Sequence, residues 1–238
     1  MKAEDGRMRA SLPQAYYDDG DGRVIYHADC RDILPLLEPA SVNLVLTDPP
    51  YGIRLPTNFA SRRRGGLREC RHDYPPVHGD TEPFDPEPVL GFGACILWGA
   101  NYYADRLPTT SGWLVWDKRE GTCVNDQADA ELAWTNCVKG VRVFRHLWNG
   151  LFRASERAEH YHPTQKPVAL MQWCITKVSK TRGGILDPYM GSGPVIVAAK
   201  LEACACIGIE IEERYCEIAA RRLSQEVFEW AEPVGMVS

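Results

Sequence analysis

Short apolar segments alternate with helical segments along this chain of 238 residues, and that alternation is the strongest constraint on its fold. The predicted strands are 23–27, 42–47, 94–98, 113–116, 131–137, 141–148, 185–186 and 205–209. The predicted helical segments are 33–37, 102–107, 168–180, 195–202 and 212–227. Strands that alternate with helices favour a mostly parallel sheet covered by helices on both faces.

One pair of predicted strands departs from this alternation. Segments 131–137 and 141–148 follow each other directly, joined by the turn residues Lys139 and Gly140. They predict an antiparallel hairpin at one edge of the sheet. The expected fold class is therefore α/β and Rossmann-like, with a mostly parallel central sheet, an antiparallel hairpin at one edge and helices on both faces.

Length and composition fit one large domain of a water-soluble protein. Apolar residues make up 45% of the chain and charged residues 25%, which is ordinary for a globular protein. The net charge of −5 argues against nucleic-acid binding over the whole surface, so any contact with a polyanion requires a local basic patch. No segment is apolar enough to span a membrane, and residues 1–21 lack the apolar centre of a signal peptide.

The nine cysteines are scattered and include no Cys-x-x-Cys pair. This usage is typical of reduced, buried thiols in a cytoplasmic protein, which is where we expect this chain to act, encoded by a bacterium or a phage. Cys70, His72 and His78 could contribute to a zinc site, but a fourth ligand at suitable spacing is missing. We therefore predict no metal site.

The sequence Asp48-Pro49-Pro50-Tyr51 follows the predicted strand 42–47 directly. Two consecutive prolines end the strand and leave carbonyl groups without neighbouring N–H donors. The loop thus offers a carboxylate, free carbonyl acceptors and an aromatic face, which together suit a planar ring that carries an amino group. The alternative is an ordinary proline turn at the end of a strand.

A second loop, Asp187-Pro188-Tyr189-Met190-Gly191-Ser192-Gly193, joins a predicted strand to a helix. Its glycines allow a tight turn and a close approach of a ligand to the backbone. Glu210 ends the next predicted strand, where a carboxylate can accept hydrogen bonds from both ribose hydroxyls of a nucleoside. A third glycine is missing, so the full dinucleotide fingerprint is absent, and a loop shaped by packing alone is the alternative.

Together these segments resemble the DNA amino-methyltransferases that use S-adenosyl-L-methionine, in the permuted arrangement called the beta class. The Asp48–Tyr51 segment resembles the catalytic motif, the 187–193 loop resembles the cofactor loop, and His162-Pro163-Thr164-Gln165-Lys166-Pro167 resembles the segment that leads into it. The 113–118 segment matches a further family strand more loosely. The catalytic motif precedes the cofactor motif, as in the beta class, and the resemblance covers about residues 24–223.

The resemblance implies a role for each matching residue. The catalytic residues would be Asp48, Pro49, Pro50 and Tyr51. The cofactor would be bound by Asp29, Thr164, Lys166, Asp187, Pro188, Tyr189, Gly191, Ser192, Gly193 and Glu210, with Glu210 on the ribose, Asp29 on the adenine amine, and Thr164 and Lys166 over the methionine end. Taken alone, Asp29 could be a cap and Lys166 a solvated charge. Pro194 stands where the family commonly has Thr, which removes a hydroxyl and an N–H near the cofactor.

The segment 52–88 is rich in Arg, Gly and Pro, and its length is typical of a functional loop. We expect residues 1–238 to form a single catalytic domain in which this segment contacts DNA, through Arg62, Arg63, Arg64 and Arg68. A charge run that is simply solvated is the alternative. Only residues 151–162 separate the last predicted hairpin from the 163–167 segment, and this is where the class often carries its recognition domain. The target site is therefore expected to be short or to be read partly by the arginine-rich segment.

The expected reaction is methylation of the N6 amine of a flipped adenine in DNA. N4-cytosine methylation uses the same geometry, but the family more often has Ser in place of Asp48 for that reaction. An RNA or protein-amide acceptor and a non-catalytic cofactor-sensing or DNA-binding module are further alternatives, and the missing glycine disfavours an oxidoreductase. The recognition sequence, homodimer formation and a restriction endonuclease partner in a restriction-modification system stay open at this point.

Overall fold

The computed structural model describes residues 11–54, 76–119, 128–149, 152–156, 165–178 and 184–225. Its strands are β1 (Tyr17–Asp18), β2 (Arg23–His27), β3 (Val42–Thr47), β4 (Cys95–Trp98), β5 (Gly112–Asp117), β6 (Ala130–Thr135), β7 (Val141–Arg145), β8 (Trp148–Asn149), β9 (Phe152–Arg153), β10 (Gly184–Asp187) and β11 (Cys206–Glu210). Its α-helices are α1 (Cys30–Ile33), α2 (Glu87–Leu90), α3 (Val168–Lys177), α4 (Pro194–Leu201) and α5 (Glu213–Ser224). Short 3-10 turns lie at Leu34–Leu36, Pro39–Ser41, Ala100–Tyr102 and Ala104–Arg106.

Nine of these strands form one sheet in the order β1-β2-β11-β10-β3-β4-β6-β5-β7. The run from β2 to β4 is parallel throughout, and β5 and β7 are parallel to each other. Strand β6 is antiparallel to both of its neighbours, and β1 is antiparallel to β2. The carboxyl ends of β2, β3, β4, β5, β7, β10 and β11 therefore meet at one edge of the sheet, which we call the carboxyl edge, together with the amino end of β6.

The predicted fold class is confirmed, but the predicted partner of one strand was wrong. Segments 131–137 and 141–148 do contain strands, β6 and β7, yet these do not pair with each other. Strand β5 lies between them, antiparallel to β6 and parallel to β7, so the antiparallel hairpin near the edge is made by β5 and β6. The amphipathic pattern identified both strands, but it carries no information about which neighbour completes the hydrogen bonds.

Apolar side chains fill both faces of the sheet, as expected for strands covered on two sides. Leu44 and Leu46 of β3 pack on one face with α3, α4 and α5, while Val45 packs on the other with the segment 33–37 and the region around α2. This strict alternation within one strand fixes which side chains of β3 face each layer.

Two further sequence predictions can be compared with the described residues. Of the seven cysteines in this part of the chain, all are free thiols and six are buried. None of the described helices has the length and apolar character needed to cross a membrane.

Candidate active site

The two loops singled out in the sequence lie side by side at the carboxyl edge. The Asp48–Tyr51 segment, which we call the DPPY loop, leaves β3, and the 187–193 segment, the glycine loop, begins at the last residue of β10. Since β3 and β10 are neighbouring parallel strands, both loops emerge at the same place. The Thr47 hydroxyl donates a hydrogen bond of 2.7 Å to Asp187 Oδ1 and so joins the two loops.

The Asp48 carboxylate receives a hydrogen bond on each of its oxygens. The Tyr51 hydroxyl donates to Oδ1, and the Lys166 ammonium donates to Oδ2 at 2.5 Å. Lys166 Nζ also lies 3.2 Å from the Tyr51 hydroxyl oxygen, and only 4% of the Lys166 side chain is exposed. Three residues from two distant segments therefore form one hydrogen-bonded cluster at the start of the DPPY loop.

Glu131 and Lys118 extend this cluster. Glu131 Oε2 lies 2.9 Å from Lys166 Nζ, and Lys118 donates a hydrogen bond of 2.7 Å to Glu131 Oε1. Burial alone would raise the pKa of Glu131, but attraction to Lys166 and Lys118 lowers it to about 2. Burial raises the pKa of Asp48, against the opposing effect of Lys166. For Lys166 itself, burial is outweighed by Asp48 and Glu131, so its pKa rises and the ammonium stays charged.

The ring of Tyr51 packs between residues that follow β4. It stacks on Tyr102 with ring centroids 5.0 Å apart and an interplanar angle of 15°. Gly99, at φ +71°, lies so close that an added Cβ would be 1.9 Å from Tyr51 Cε1. A side chain larger than hydrogen would therefore displace the tyrosine.

A cavity of about 240 Å³ opens beside this ring. It is lined by Tyr51, Gly99, Asn101, Tyr102, Lys118, Ala128, Ala130, Glu131 and Leu132. The cavity is smaller than pockets for drug-sized ligands, which are roughly 300–1,000 Å³, and suits a single heterocyclic ring. Aromatic, charged and backbone groups of the DPPY loop and of β6 meet there.

The backbone that leaves the DPPY loop is fixed by a buried carboxylate. Asp80 Oδ1 accepts hydrogen bonds from the amides of Gly52 and Ile53, at 2.8 and 3.1 Å. The Arg54 amide in turn donates to the Asp80 carbonyl at 2.9 Å. Both ends of the loop are thus held, by β3 on one side and by Asp80 on the other.

In the glycine loop, Glu210 holds the backbone from the neighbouring strand. Its Oε2 accepts the Gly191 amide and its Oε1 accepts the Glu212 amide, both at 2.8 Å. Gly193 has φ +79°, and an added Cβ would lie 2.8 Å from Ala219 Cβ, so close packing against α5 requires a glycine there. Pro194 begins α4, where a missing N–H costs nothing.

Asp187 and Asp29 have partners within the protein. Asp187 is 2% exposed and accepts from Thr47 and from the Tyr189 amide, and burial raises its pKa to about 7. Asp29 caps α1 by accepting the Arg31 amide, and the Arg31 guanidinium lowers its pKa. Asp29 therefore does act as a helix cap, the alternative that the sequence left open. Its role in cofactor binding stays a prediction.

A buried arginine braces the glycine loop from α5. Arg222 donates to the Ser192 carbonyl at 2.8 Å and to Glu156 Oε1 at 2.7 Å. Glu156 Oε2 accepts the Val168 amide at 2.9 Å, so the bridge reaches the first residue of α3, two residues beyond Lys166. One ion pair, Arg222–Glu156, therefore holds both the glycine loop and the segment that carries Lys166.

Several predicted residues lie outside the described part of the chain. These are Thr164, Arg62, Arg63, Arg64 and Arg68, together with Cys70 and His72 of the rejected zinc site. The roles of Thr164 and of the four arginines stay predictions.

The sequence predicts no site role for Glu131, Lys118, Tyr102, Asp80 or Arg222. It predicts Glu131 only as the first residue of a strand. Because β6 runs antiparallel, its amino end reaches the carboxyl edge, and Glu131 pairs with Trp116 just before Lys118. Predicting Glu131 at the site requires the direction of β6, which the local sequence pattern does not determine.

Known proteins resemble this chain in sequence over most of its length. Residues 101–221 match the N6/N4 DNA methylase family. The chain is 39% identical to the type II methyltransferase M2.LlaDCHI of Lactococcus lactis subsp. cremoris, over 90% of this chain and 93% of that protein. It is 42% identical to the type II methyltransferase M.ScaI of Streptomyces caespitosus, over 94% of this chain and 90% of that protein.

Solved structures share the fold. The PvuII DNA methyltransferase, described as cytosine-N4-specific, superimposes with a TM-score of 0.57 at 14% identity, covering 87% of this chain and 88% of that one. The M1.HpyAVI–SAM complex gives a TM-score of 0.51 at 24% identity, covering 83% of this chain and 98% of that one. At these identities the likeness concerns the fold alone. The family match and the two relatives confirm the resemblance seen in the motifs: this chain belongs to the N6/N4 family of DNA methylases.

Proposed function

We propose that this protein transfers a methyl group from S-adenosyl-L-methionine to the N6 amine of a flipped adenine in DNA. The observation that carries the proposal is the position of Asp48, which accepts a hydrogen bond from the cavity-lining Tyr51 and directly follows Thr47, whose hydroxyl links it to Asp187 of the glycine loop. Residues 1–238 act in this proposal as one catalytic domain, with the 52–88 segment and its Arg62, Arg63, Arg64 and Arg68 on the DNA.

The glycine loop fits the cofactor. A Cβ added to Gly191 would meet no heavy atom within 4 Å, so the loop backbone borders open space, and the Glu210 carboxylate lies at its base. In our proposal the cofactor is held by Asp29, Thr164, Lys166, Asp187, Pro188, Tyr189, Gly191, Ser192, Gly193 and Glu210. When bound, S-adenosyl-L-methionine supplies an electrophilic methyl group on a positively charged sulfur.

The DPPY loop prepares the amine. The nitrogen lone pair of an exocyclic amine is delocalised into the ring, which makes it a poor nucleophile. Asp48 and the Pro49 carbonyl each accept one N–H, which favours a pyramidal nitrogen with a localised lone pair. The nitrogen–methyl bond would form as the methyl–sulfur bond breaks and leaves a neutral thioether. The Asp48 carboxylate stabilises the positive charge that develops on the nitrogen, which then loses one N–H proton to solvent.

The base reaches this pocket by leaving the duplex. A paired and stacked base cannot place its amine against Asp48, so it has to be flipped out. Tyr51 then offers an aromatic face, and stacking on such a face is worth about 1–3 kcal/mol in single-strand binders. Tyr102 is 51% exposed, stacks on Tyr51 and borders the same cavity. In our proposal it moves aside for the flipped base or stacks on it.

Adenine is favoured over cytosine because the loop begins with Asp48. A carboxylate is a stronger acceptor for an amine N–H than the serine hydroxyl that the family more often uses for cytosine. The M.ScaI and M2.LlaDCHI relatives are named only as type II methyltransferases, so the choice between the two bases rests on this residue.

The test is to incubate the protein with methyl-labelled cofactor and unmethylated DNA, then digest the DNA to nucleosides. We expect the label in N6-methyl-2′-deoxyadenosine. Label in N4-methyl-2′-deoxycytidine would move the activity to cytosine, and label found only on RNA or protein substrates assayed in parallel would overturn the proposal.

A further inference from the structure

Four charged side chains of alternating sign run from the DPPY loop to the rim of the cavity. They follow the order Asp48, Lys166, Glu131, Lys118, with successive N–O distances of 2.5, 2.9 and 2.7 Å. Lys166 is therefore shared between two carboxylates. Its ammonium contacts the proposed catalytic carboxylate on one side and a carboxylate of β6 on the other.

This sharing bears on how Asp48 accepts a substrate. Both of its oxygens already accept hydrogen bonds, from the Tyr51 hydroxyl and from Lys166. Each oxygen can still accept a further hydrogen bond, but Asp48 accepts an amine N–H more strongly once the Lys166 ammonium, which draws electron density from Oδ2, moves away. Lys166 is buried, and a buried ammonium that loses its anionic partner is strongly destabilised unless another acceptor takes over.

Glu131 has the position and the charge to be that acceptor. Its Oε2 is already within 2.9 Å of Lys166 Nζ, so the ammonium needs little movement. Its Oε1 is held by Lys118, and its backbone pairs with Trp116 inside the sheet, which keeps the carboxylate in place. Attraction to the two lysines keeps Glu131 ionised, with its pKa lowered to about 2.

We propose that Glu131 is a positioning residue that takes the Lys166 ammonium from Asp48 when the target amine binds there. The inference rests on the proposed function. Asp48 is released to accept the amine N–H while Lys166 keeps an anionic partner throughout. The move also draws a positive charge away from the amine nitrogen, which itself becomes positive as it is methylated, and so lowers the repulsion between them.

The first test replaces Glu131 by Gln, which keeps the size and removes the charge. We expect kcat to fall about 10- to 100-fold, less than the roughly 10²–10³-fold loss for a group that touches the reacting atoms, because Glu131 acts through Lys166, and we expect the Kd for S-adenosyl-L-methionine to change less than about twofold. Glu131→Asp, which restores the charge, should recover part of the lost rate. The matched control is Asp129→Asn, an acid two residues away whose side chain is 83% exposed, and it should keep the wild-type rate.

A second test separates positioning from general damage. Lys166→Met removes the ammonium, and in that background Glu131→Gln should change the single-turnover rate by less than about twofold, because Glu131 acts through Lys166. Full additivity of the two substitutions would overturn the inference, as would a Glu131→Gln enzyme with the wild-type kcat. A wild-type protein that transfers no methyl group to DNA would instead overturn the proposed function, and this inference with it.

Discussion

The two halves of the carboxyl edge differ in the groups that hold their carboxylates. The DPPY half is the DPPY loop with Lys166, Glu131 and Lys118, and the glycine-loop half is the glycine loop with Glu210. In the DPPY half, Asp48 and Glu131 are paired with the ammonium groups of Lys166 and Lys118. In the glycine-loop half, the contacts that hold Asp187 and Glu210 come from a hydroxyl and backbone amides.

The pKa values of Glu131, Asp187 and Glu210 follow this difference. The lysines lower the pKa of Glu131 to about 2, against the effect of burial. Burial raises the pKa of Asp187 to about 7 and raises that of Glu210, since neutral donors compensate a carboxylate less than a cation does. A site of the second kind gains from a positively charged ligand such as a sulfonium cofactor. In a site of the first kind the lysines keep Glu131 ionised, while burial still raises the pKa of Asp48 against the effect of Lys166.

The link between the halves is tested by replacing Arg222 of α5. Arg222→Met removes the cation that bridges Ser192 and Glu156, and it leaves Glu156 largely buried without that partner. We expect the free energy of unfolding to fall by about 3 kcal/mol, the lower end for breaking a buried ion pair. Arg221→Met is the matched control, since Arg221 forms an exposed pair with Glu217 that should be worth less than about 1 kcal/mol. The measurement is urea unfolding. If both variants lose the same free energy of unfolding, the Arg222–Glu156 pair contributes no more to stability than an exposed ion pair.

The DPPY half alone is tested by Gly99→Ala. Gly99 and Gly140 both have φ +71°, but an alanine at Gly140 would meet only Arg142 Nη1 at 3.7 Å, whereas at Gly99 it collides with Tyr51. Both substitutions should cost about 1–2 kcal/mol for the left-handed backbone, and Gly99→Ala about 1–3 kcal/mol more for the collision. Denaturant unfolding measures the difference, and methylation should fall in Gly99→Ala only. Indistinguishable variants would show that Tyr51 is not held by this contact.

The glycine-loop half alone is tested by the pH dependence of Asp187→Asn. A carboxyl group with a pKa of about 7 in the folded protein and a lower one when unfolded binds more protons when folded. Its contribution to stability is therefore present at low pH and is lost as pH rises through about 7. Between pH 5.5 and 7.5 the wild-type protein should lose about 1–2 kcal/mol relative to the variant, which has no group to ionise there. Parallel stability curves would contradict the role of burial at Asp187.

Sequence reasoning reached the parts of the site that depend on local pattern. The proline pair ends β3 at the predicted residue, and α4 begins at Pro194, one residue before the start predicted for that helix. The DPPY and glycine loops were found because each follows a recognisable strand. Glu131 and Arg222 were not found, because their partners are set by the direction of β6 and by the packing of α5, which are decided by the whole sheet. The same limit explains the wrong pairing of β6 with β7.

We propose that the DPPY half carries the chemistry and that the glycine-loop half binds the cofactor. This division is tested most directly by single-turnover methyl transfer at saturating cofactor, with cofactor Kd measured on the same samples, for Asp48→Ala and Glu210→Gln. Asp48→Ala should lose on the order of 10²–10³-fold in rate with Kd changed less than about threefold. Glu210→Gln should weaken cofactor binding by about 10- to 100-fold and keep most of the rate at saturation. A wild-type rate in Asp48→Ala, or equal losses of rate and affinity in both variants, would contradict the division.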